Sequence, residues 1–466
     1  MEQPINFSLS NNATSIQLTQ NIESKYKKSK CNECNKRRKK LDKGHKVCHV
    51  CYKIKIVYKY GSSGIDIIDK FIRKTQVKLV NGIGKMEFVP YGQFEDIKFI
   101  AEGGFSKIYK ATWIDGPVIN YHNKKNIRNK NCTIVLKKIN GSKNITSKEL
   151  NELQIFYDFS SKHRNGSNSY ICNNVGKYYG ITQDPDSQDI VIIMPYYDSG
   201  DLIYYITKDF YNINWKIKLG NLESIALGLV QIHEAEIIHR DFHSGNIFFN
   251  KQKHNFETPL IGDLGISKSA TESGVDNENY GIIPFMAPEI FQGQKYGKAS
   301  DIYGFGMIMW ELMTGRRPFW DRNHDTELII DICDGLRPPI VTNAPEDYVE
   351  LMKECWNSDP EKRPIATDLH KKINIMVQKE SKNHDNNSPT EIIKSSDIGP
   401  VTINNPGAIY KSRPLSAMIN SAMSLRSSRN QSINLQKVKS QIIRRKELNE
   451  NEDTLDYLTK ELEFEL

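Results

Sequence analysis

One stretch, IIHRDFHSGNIFF at residues 237–249, limits what this chain of 466 residues can fold into more than any other. It places His239, Arg240, Asp241 and Asn246 in an H-R-D-x-x-x-x-N pattern between branched and aromatic apolar residues. We refer to this polar segment between apolar runs as the loop. Other polar residues of the same globular region must act with this loop if it has a chemical role.

Four further elements accompany this loop in a definite order. The run IVLKKI places Lys137 near the end of an apolar strand, and SKELNELQIF carries Glu152 on a predicted helix. After the loop, IGDLGIS puts Asp263 between a strand and a turn, and PFMAPEI brings Glu289. Alone, each would be a solvated charge or a turn residue, but chance does not explain all of them in this order.

On these residues, the stretch from about Phe94 to Val377 resembles a eukaryotic protein kinase domain. CWNSDPEKRP and DIYGFGMIMWELMTGRRPF resemble most the tyrosine-kinase-like branch, whose members mostly act on serine and threonine. The resemblance implies an α+β, bilobal protein-kinase fold, with a β-rich N-lobe at residues 94–197 and a helical C-lobe at 198–377. Alternating apolar residues such as Tyr109, Ala111 and Trp113, followed by longer helical periodicities, favour the same division.

The resemblance implies transfer of the γ-phosphate of ATP to protein hydroxyls, with Mg²⁺ as cofactor, in intracellular signalling. Lys137 would anchor the α and β phosphates while Glu152 holds its amine. Asp241 would accept the proton of the attacking hydroxyl. Asn246 and Asp263 would bind Mg²⁺.

Residues outside the reacting centre have implied roles as well. His239 would pack structurally, Asp301 would brace the catalytic loop, and Glu289 would form a buried ion pair with Arg363. Arg240 would pair with a phosphate on the activation loop. The candidate acceptors in that loop are Ser267, Ser269, Thr271, Ser273 and Tyr280.

The nucleotide site departs from the family pattern at several positions. Ala101 and Ser106 replace two glycines of the loop over the phosphates, so we expect a stiffer but working clamp around Gly103. Val135 and Phe248 thicken the walls of the adenine slot. A nucleotide-binding pseudokinase scaffold is therefore an alternative to an active enzyme. The residues expected to contact nucleotide are Ala101, Gly103, Ser106, Ile108, Val135, Lys137, Met194, Tyr196 and Phe248.

The acceptor hydroxyl is predicted less directly. His243 stands where serine/threonine kinases usually carry a lysine, and Ile282 where they usually carry a threonine. The catalytic loop also lacks the arginine and alanine of tyrosine kinases. The branch resemblance favours serine and threonine, with tyrosine or dual specificity left open.

A second chemical motif lies ahead of the kinase-like region. CNECNKRRKKLDKGHKVCHVC holds two C-x-x-C pairs separated by 13 residues, which predicts a tetrahedral structural zinc site of Cys31, Cys34, Cys48 and Cys51. The segment from 25 to 60 is strongly basic, so a tether for nucleic acid or an anionic partner is a further alternative.

The remaining sequence suggests the boundaries. We expect disorder in residues 1–24, the basic cysteine module at 25–60, a linker or lead at 61–93, and an enlarged hairpin loop at 114–131. A mostly disordered tail is expected at 378–466, and its acidic end could form a short helix. The polar start MEQPINFSLSNN and the absence of a long apolar run predict an intracellular, cytoplasmic chain without a membrane span, with a nuclear location left open.

Overall fold

The structure is a computed structural model, and it forms two compact units, Met1–Asn168 with Lys177–Tyr196 and Ser169–Gly176 with Tyr197–Leu466. The residues that it describes are 28–35, 37–39, 46–48, 50–52, 54, 61–78, 84–104, 106–120, 127–146, 149–162, 174–251, 257–269, 278–342, 344–429 and 431. The predicted N-terminal disorder and the acidic C-terminal helix lie outside them. None of the described helices has both the length and the apolar character needed to cross a membrane.

The first unit begins with two small elements. Strands β1 (Lys28–Lys30) and β2 (Arg37–Lys39) form an antiparallel hairpin in the cysteine region, and helix α1 (Asp66–Lys78) follows. A six-stranded sheet comes next, with strand order β3-β9-β10-β8-β5-β4. Its strands are β3 (Glu87–Phe88), β4 (Phe94–Glu102), β5 (Ser106–Trp113), β8 (Cys132–Ile139), β9 (Gly180–Gln183) and β10 (Ile190–Pro195).

The core of this sheet follows from the alternation of its strands. Ala111 and Trp113 on β5 lie on the same buried face as Ile134 and Leu136 on β8, because residues two apart point to the same side of a strand. Helix α2 (Asn151–Lys162) also belongs to this unit and buries Phe156 among other apolar side chains.

The segment expected as a linker or lead at 61–93 contains helix α1 and strand β3 and is part of the folded unit. Helix α1 contacts α2 through an edge-to-face pair of Phe71 and Tyr157, with ring centroids 6.5 Å apart. Strand β3 pairs in parallel with β9, and a Cβ at Gly180 would lie only 1.9 Å from the oxygen of Glu87. Only glycine permits this approach. The apolar side of α1, with Ile68 buried, explains why the segment is folded.

The insertion at 114–131 has its own short hairpin, β6 (Val118–Asn120) and β7 (Ile127–Arg128). Arg128 makes a two-pronged ion pair with Glu87 on β3, with nitrogen–oxygen distances of 3.1 and 2.7 Å. The base of the predicted enlarged loop is therefore tied to the sheet by charge-assisted hydrogen bonds.

The second unit is mainly helical, so the predicted α+β fold with a β-rich first part and a helical second part is confirmed. Its helices are α3 (Leu202–Lys208), α4 (Trp215–Glu234), α5 (Pro288–Phe291), α6 (Lys298–Thr314), α7 (Thr326–Cys333), α8 (Tyr348–Cys355) and α9 (Ala366–Asp385). Its strand pairs are β11 (Ile237–Ile238) with β14 (Lys268–Ser269), β12 (Ile247–Lys251) with β13 (Glu257–Ile261), and β15 (Tyr280–Gly281) with β16 (Arg413–Pro414).

Helix α6 is the centre of this unit. It is apolar on every side and almost wholly buried, as expected for a helix inside a large core. A Cβ at Gly304 would lie 2.3 Å from the backbone oxygen of Phe242. The glycine thus lets the helix backbone approach the loop that carries Asp241.

The tail differs most from its sequence-based expectation. Helix α9 continues to Asp385, and residues 386–429 are ordered against the second unit, with a helix over 416–429. Leu415, Ile419 and Ala422 are buried on one side of that segment. Their spacing of four and three residues forms a helical apolar stripe. The abundance of Asn, Ser and Lys around this stripe led to the expectation of disorder, which is corrected here for residues 378–429.

Candidate active site

Lys137 lies on β8, between β5 and β10, opposite Ile108 and Ile192. Its Nζ donates to Oε2 of Glu152 on α2 at 2.9 Å, and both side chains are almost fully buried. The sheet therefore fixes the lysine backbone while the helix supplies its counter-charge. Burial makes this ion pair dependent on good geometry, because desolvated charges are costly when unpaired.

The second carboxylate oxygen of Glu152 has its own partner. Tyr178 donates its hydroxyl to Oε1 of Glu152 at 2.8 Å, and its ring lies 4.9 Å from that of Phe156. Sequence reasoning missed Tyr178, because no motif distinguishes it from the neighbouring tyrosine. The carboxylate is thus held from two sides.

The loop around Gly103, which is expected to lie over the phosphates, is a tight connection between β4 and β5. The amide of Gly103 donates to the oxygen of Ser106 at 2.7 Å, and Ala101 pairs with Ile108 across the two strands. Phe105 lies outside the described residues. Ser106 is buried at the start of β5.

The residues expected around adenine divide between the two units. Val135 on β8 pairs with Lys110 on β5 and with Met194 on β10. The ammonium group of Lys110 lies 4.2 Å from the centre of the Tyr196 ring. These residues belong to the first unit. Phe248 belongs to the second, where its ring stacks on Tyr197 with centroids 5.8 Å apart.

Asp241 lies in the loop between β11 and β12. The side-chain amide of Asn246 donates to the backbone oxygen of Asp241 at 2.9 Å and lies 3.4 Å from its carboxylate. Nε2 of His243 lies 3.5 Å from the other carboxylate oxygen. Since Nδ1 of His243 accepts the amide of Gly245 at 3.1 Å, the ring proton is on Nε2 and faces Asp241. His243 is buried, so it is not a surface histidine.

Asp301 at the start of α6 supports the backbone of this loop. Its carboxylate accepts the amides of His239 and Arg240, each at 2.9 Å. Arg240 has a φ of +72°, a conformation that is costly for a long side chain. Two charge-assisted hydrogen bonds to consecutive amides stabilise it. His233, which sequence reasoning missed, contacts the same carboxylate with Nε2 at 2.8 Å.

Asp263 is positioned by the turn that follows β13. Its φ of +50° is one that aspartate tolerates better than most residues, and its carboxylate accepts the amide of Gly265 at 3.1 Å. Nε2 of His239 lies 3.0 Å from the oxygen of Gly262, and the Gly262 amide donates to the oxygen of Asn246 at 2.8 Å. The turn and the catalytic loop are therefore hydrogen-bonded to each other within the second unit.

The predicted activation loop is described only at its two ends. Ser267 is fully buried and donates its hydroxyl to the oxygen of His239 at 3.0 Å, so it is not an accessible acceptor in this conformation. Thr271, Ser273 and the side chain of Ser269 lie outside the described residues. Tyr280 lies on β15.

Glu311 is a buried carboxyl beneath the catalytic loop that sequence reasoning missed. It accepts the hydroxyl of Ser244 at 3.0 Å. Burial raises the pKa of Glu311 to about 8, although Arg317 and the Ser244 hydroxyl oppose this rise. The carboxyl therefore keeps its proton at neutral pH in the folded chain.

We expect Glu311→Gln to raise the melting temperature more at about pH 9 than at about pH 5. In the unfolded chain the Glu311 carboxyl loses its proton above its ordinary pKa of 4.5, whereas in the folded chain it keeps the proton up to about pH 8. Wild-type stability therefore falls over this interval, whereas glutamine avoids the loss. Thermal unfolding at several pH values measures the difference, with exposed Glu234→Gln as the control. A pH-independent difference between wild type and Glu311→Gln would mean that the folded carboxyl is ionised.

The four cysteines of the N-terminal module lie together. Their sulfur atoms are all within 4.8 Å of one another, near the separation of about 3.8 Å that a tetrahedral zinc–thiolate site requires. Burial opposes ionisation of Cys31, but hydrogen bonds led by the Cys48 amide, which donates to its sulfur at 3.1 Å, lower its pKa to about 6. This donor set fits a divalent metal that prefers thiolates.

The comparisons with known proteins agree with this arrangement. Residues 94–373 match the family model for protein tyrosine and serine/threonine kinases. "Probable serine/threonine-protein kinase roco5" of Dictyostelium discoideum is 26% identical over 334 residues, covering 70% of this chain and 11% of that protein. The corresponding roco6 protein is 27% identical over 359 residues, covering 73% of this chain and 15% of that protein.

"Putative serine/threonine-protein kinase/receptor R818" of Acanthamoeba polyphaga mimivirus is 35% identical over 165 residues, covering 35% of this chain and 10% of that protein. The matched part of the chain thus spans only 10–15% of the length of these curated relatives. The family model, in contrast, covers more than half of the chain. This protein therefore belongs to the protein tyrosine and serine/threonine kinase family.

Proposed function

We propose that the chain is an ATP- and Mg²⁺-dependent protein kinase that phosphorylates serine or threonine. The closed ion pair of Lys137 and Glu152 carries this proposal. A buried ammonium group held by a carboxylate provides fixed positive charge for phosphate oxygens without rearrangement. The chain has Lys137, Glu152, Asp241, Asn246 and Asp263 at all five positions for which the family resemblance implies a catalytic role.

The residues of the proposed reaction have different roles. Lys137 binds the α and β phosphates, and Glu152 with Tyr178 keeps the lysine in place. Asp263 and Asn246 would hold Mg²⁺, since carboxylate and amide oxygens are its preferred protein ligands. Bound Mg²⁺ neutralises the charge that develops on the transferred phosphate.

Asp241 acts on the acceptor. It takes the proton of the attacking hydroxyl, which requires an ionised carboxylate close to that hydroxyl. The proton of His243 and the amide of Asn246 orient the carboxylate from opposite sides. Arg240 and Asp301 set the backbone from which Asp241 projects.

Serine or threonine is the proposed acceptor, because the relatives that match over most of this chain are named as kinases of that class. The test is transfer of labelled γ-phosphate from Mg-ATP to a generic protein substrate by the purified full chain, followed by phosphoamino-acid analysis. Asp241→Asn is assayed alongside. Label on tyrosine would overturn the acceptor assignment. Nucleotide binding without any transfer, even after preactivation, would favour the pseudokinase scaffold.

We also propose that Cys31, Cys34, Cys48 and Cys51 bind a structural zinc ion. The convergence of four sulfur atoms supports it, and thiolate ligation suits the reducing interior of a cell. The basic side chains at 36–40 between the two cysteine pairs lie outside the described residues, and no described contact favours nucleic acid.

We expect about one zinc ion per purified chain, and replacement by Co²⁺ should produce the absorption bands of a tetrahedral thiolate site. Cys48→Ser should lose these bands and lower the melting temperature, because metal binding stabilises so small a module. Cys132→Ser is the matched control, since Cys132 lies outside the cluster. Equal metal content in all three proteins would contradict the proposed ligands.

A further inference from the structure

The C-terminal tail adds a strand to the end of the activation segment. Strand β16 pairs antiparallel with β15, Tyr280 opposite Pro414 and Gly281 opposite Arg413. The amide of Leu415 also donates to the oxygen of Asn279 at 2.8 Å, and the Asn279 amide donates to the hydroxyl of Ser416 at 2.8 Å. The tail therefore bonds both backbone groups of Asn279 and pairs with Gly281, whereas the backbone oxygen of Tyr280 accepts the hydroxyl of Tyr296 at 2.9 Å.

Side chains of the second unit hold the tail on both sides of this strand. Arg316 donates to the oxygens of Ser396 and Gly399, and Tyr410 donates its hydroxyl to the oxygen of Pro318 at 2.9 Å. Beyond β16, Leu415 and Ile419 are buried. The tail is docked through specific contacts along about thirty residues, from 396 to 426.

The segment that follows the covered edge is linked to the proposed base through two side-chain contacts. Gly281 is followed by the turn Ile283–Phe285, and the ring of Phe285 lies 5.8 Å from that of His243. His243 in turn lies 3.5 Å from the carboxylate of Asp241. A peptide laid along β15 would pass near the residue that must receive its hydroxyl proton.

We propose that the edge of β15 is the docking site for the backbone of protein substrates, and that residues 411–416 occupy it as an internal competitor. This inference rests on the proposed kinase function. An extended peptide can bind a sheet edge through main-chain hydrogen bonds with little dependence on sequence. The edge groups of Asn279 and Gly281 that pair with the tail can pair with only one strand at a time, so tail and substrate exclude each other.

The contacts of Ser416 indicate how the tail is released. Its hydroxyl accepts the Asn279 amide, while its own amide donates to Glu278 at 3.3 Å. A negative group at position 416 would lie beside the Glu278 carboxylate and would be repelled. Ser416→Asp should therefore weaken docking without disturbing the core of the unit.

The test compares four full-length proteins: wild type, Ile419→Asp, Ser416→Asp and the control Ile403→Asp. Ile419 is 4% exposed and Ile403 is 79% exposed, so the same substitution disrupts docking only at the first. We expect Ile419→Asp and Ser416→Asp to lower the KM for myelin basic protein by roughly fivefold or more, because the docking edge is free in a larger fraction of molecules. The KM for ATP should stay unchanged in all four proteins, and the KM of Ile403→Asp for myelin basic protein should equal that of wild type.

A binding measurement separates this inference from catalysis. A fluorescent peptide of residues 408–429 should bind the two released variants roughly tenfold more tightly than wild type, and myelin basic protein should displace it. If the peptide binds in this way but no phosphate is transferred, the docking edge is supported and the kinase function is refuted. Folded variants with unchanged substrate KM, or with lower kcat alone, would instead make the tail a structural support and overturn the inference.

Discussion

Asp241→Asn lowers the rate of phosphate transfer by about 10² to 10⁴-fold, the usual contribution of a positioned general base. Asparagine has nearly the same shape and can still accept a hydrogen bond from Asn246, whose bond to the backbone oxygen of residue 241 does not depend on the side chain. The amide cannot take up a proton at neutral pH. The loss should therefore appear in kcat, with nucleotide affinity and melting temperature close to those of wild type.

Single-turnover transfer from labelled ATP measures this effect, and nucleotide binding is followed separately by calorimetry. The matched control is Asp186→Asn, because Asp186 is exposed on a turn of the first unit. An active Asp241→Asn protein would remove Asp241 from its role as base. A variant that fails to bind nucleotide would show instead that the change disturbed the site.

Arg363→Ala destabilises the second unit by about 3–5 kcal/mol, because it leaves a buried carboxylate without its counter-charge. Arg363 donates two hydrogen bonds to Glu289, both at 2.7 Å, and its side chain is fully buried. It also donates to the oxygens of Ala299 and Asn357, at 3.0 and 2.8 Å. We expect the melting temperature to fall by on the order of 10 °C for a unit of this size.

A double variant identifies the cause of this loss. Glu289→Leu in the Arg363→Ala background removes the unpaired charge and should recover part of the melting temperature, although the two carbonyl oxygens remain without their donor. The exposed pair of Lys371 and Asp368, 3.1 Å apart, is the comparison. Lys371→Ala should change the melting temperature by at most about 2 °C, because solvent screens such pairs. No recovery in the double variant would assign the loss to the carbonyl contacts.

The fold could be predicted because its evidence is local. The alternation on β5 and β8 and the helical periodicity of α4 are visible within short windows of sequence. The positions of Lys137, Glu152 and Asp263 also follow from short motifs, each attached to one predicted strand, helix or turn.

Long-range partners could not be predicted in this way. Tyr178 reaches Glu152 from 26 residues further along the chain, and Glu311 contacts Ser244 from a distance of 67 residues. Neither belongs to a motif with a spacing rule, and a tyrosine or glutamate in an apolar run has many ordinary explanations. Their roles depend on which segments the fold brings together.

The ordered part of the tail was misjudged for a related reason. Its apolar content is modest on average, so composition favours disorder. Its few apolar side chains, such as Leu415 and Ile419, are spaced to form one buried face. A short apolar face of this kind predicts an ordered helix only when the surface against which it packs is known.

The packing of α1 and β3 also bears on where this domain can be cut. A fragment starting at Phe94, where the family match begins, would uncover the ring of Tyr157 and leave Arg128 without Glu87. It would also remove Lys74, whose ammonium group donates to the side chain of Gln154 on α2 at 3.0 Å. Gln154 is two residues after Glu152 on the same helix. The smallest portion of this chain that keeps its own catalytic helix covered therefore starts ahead of residue 66, outside the boundaries by which the family is recognised.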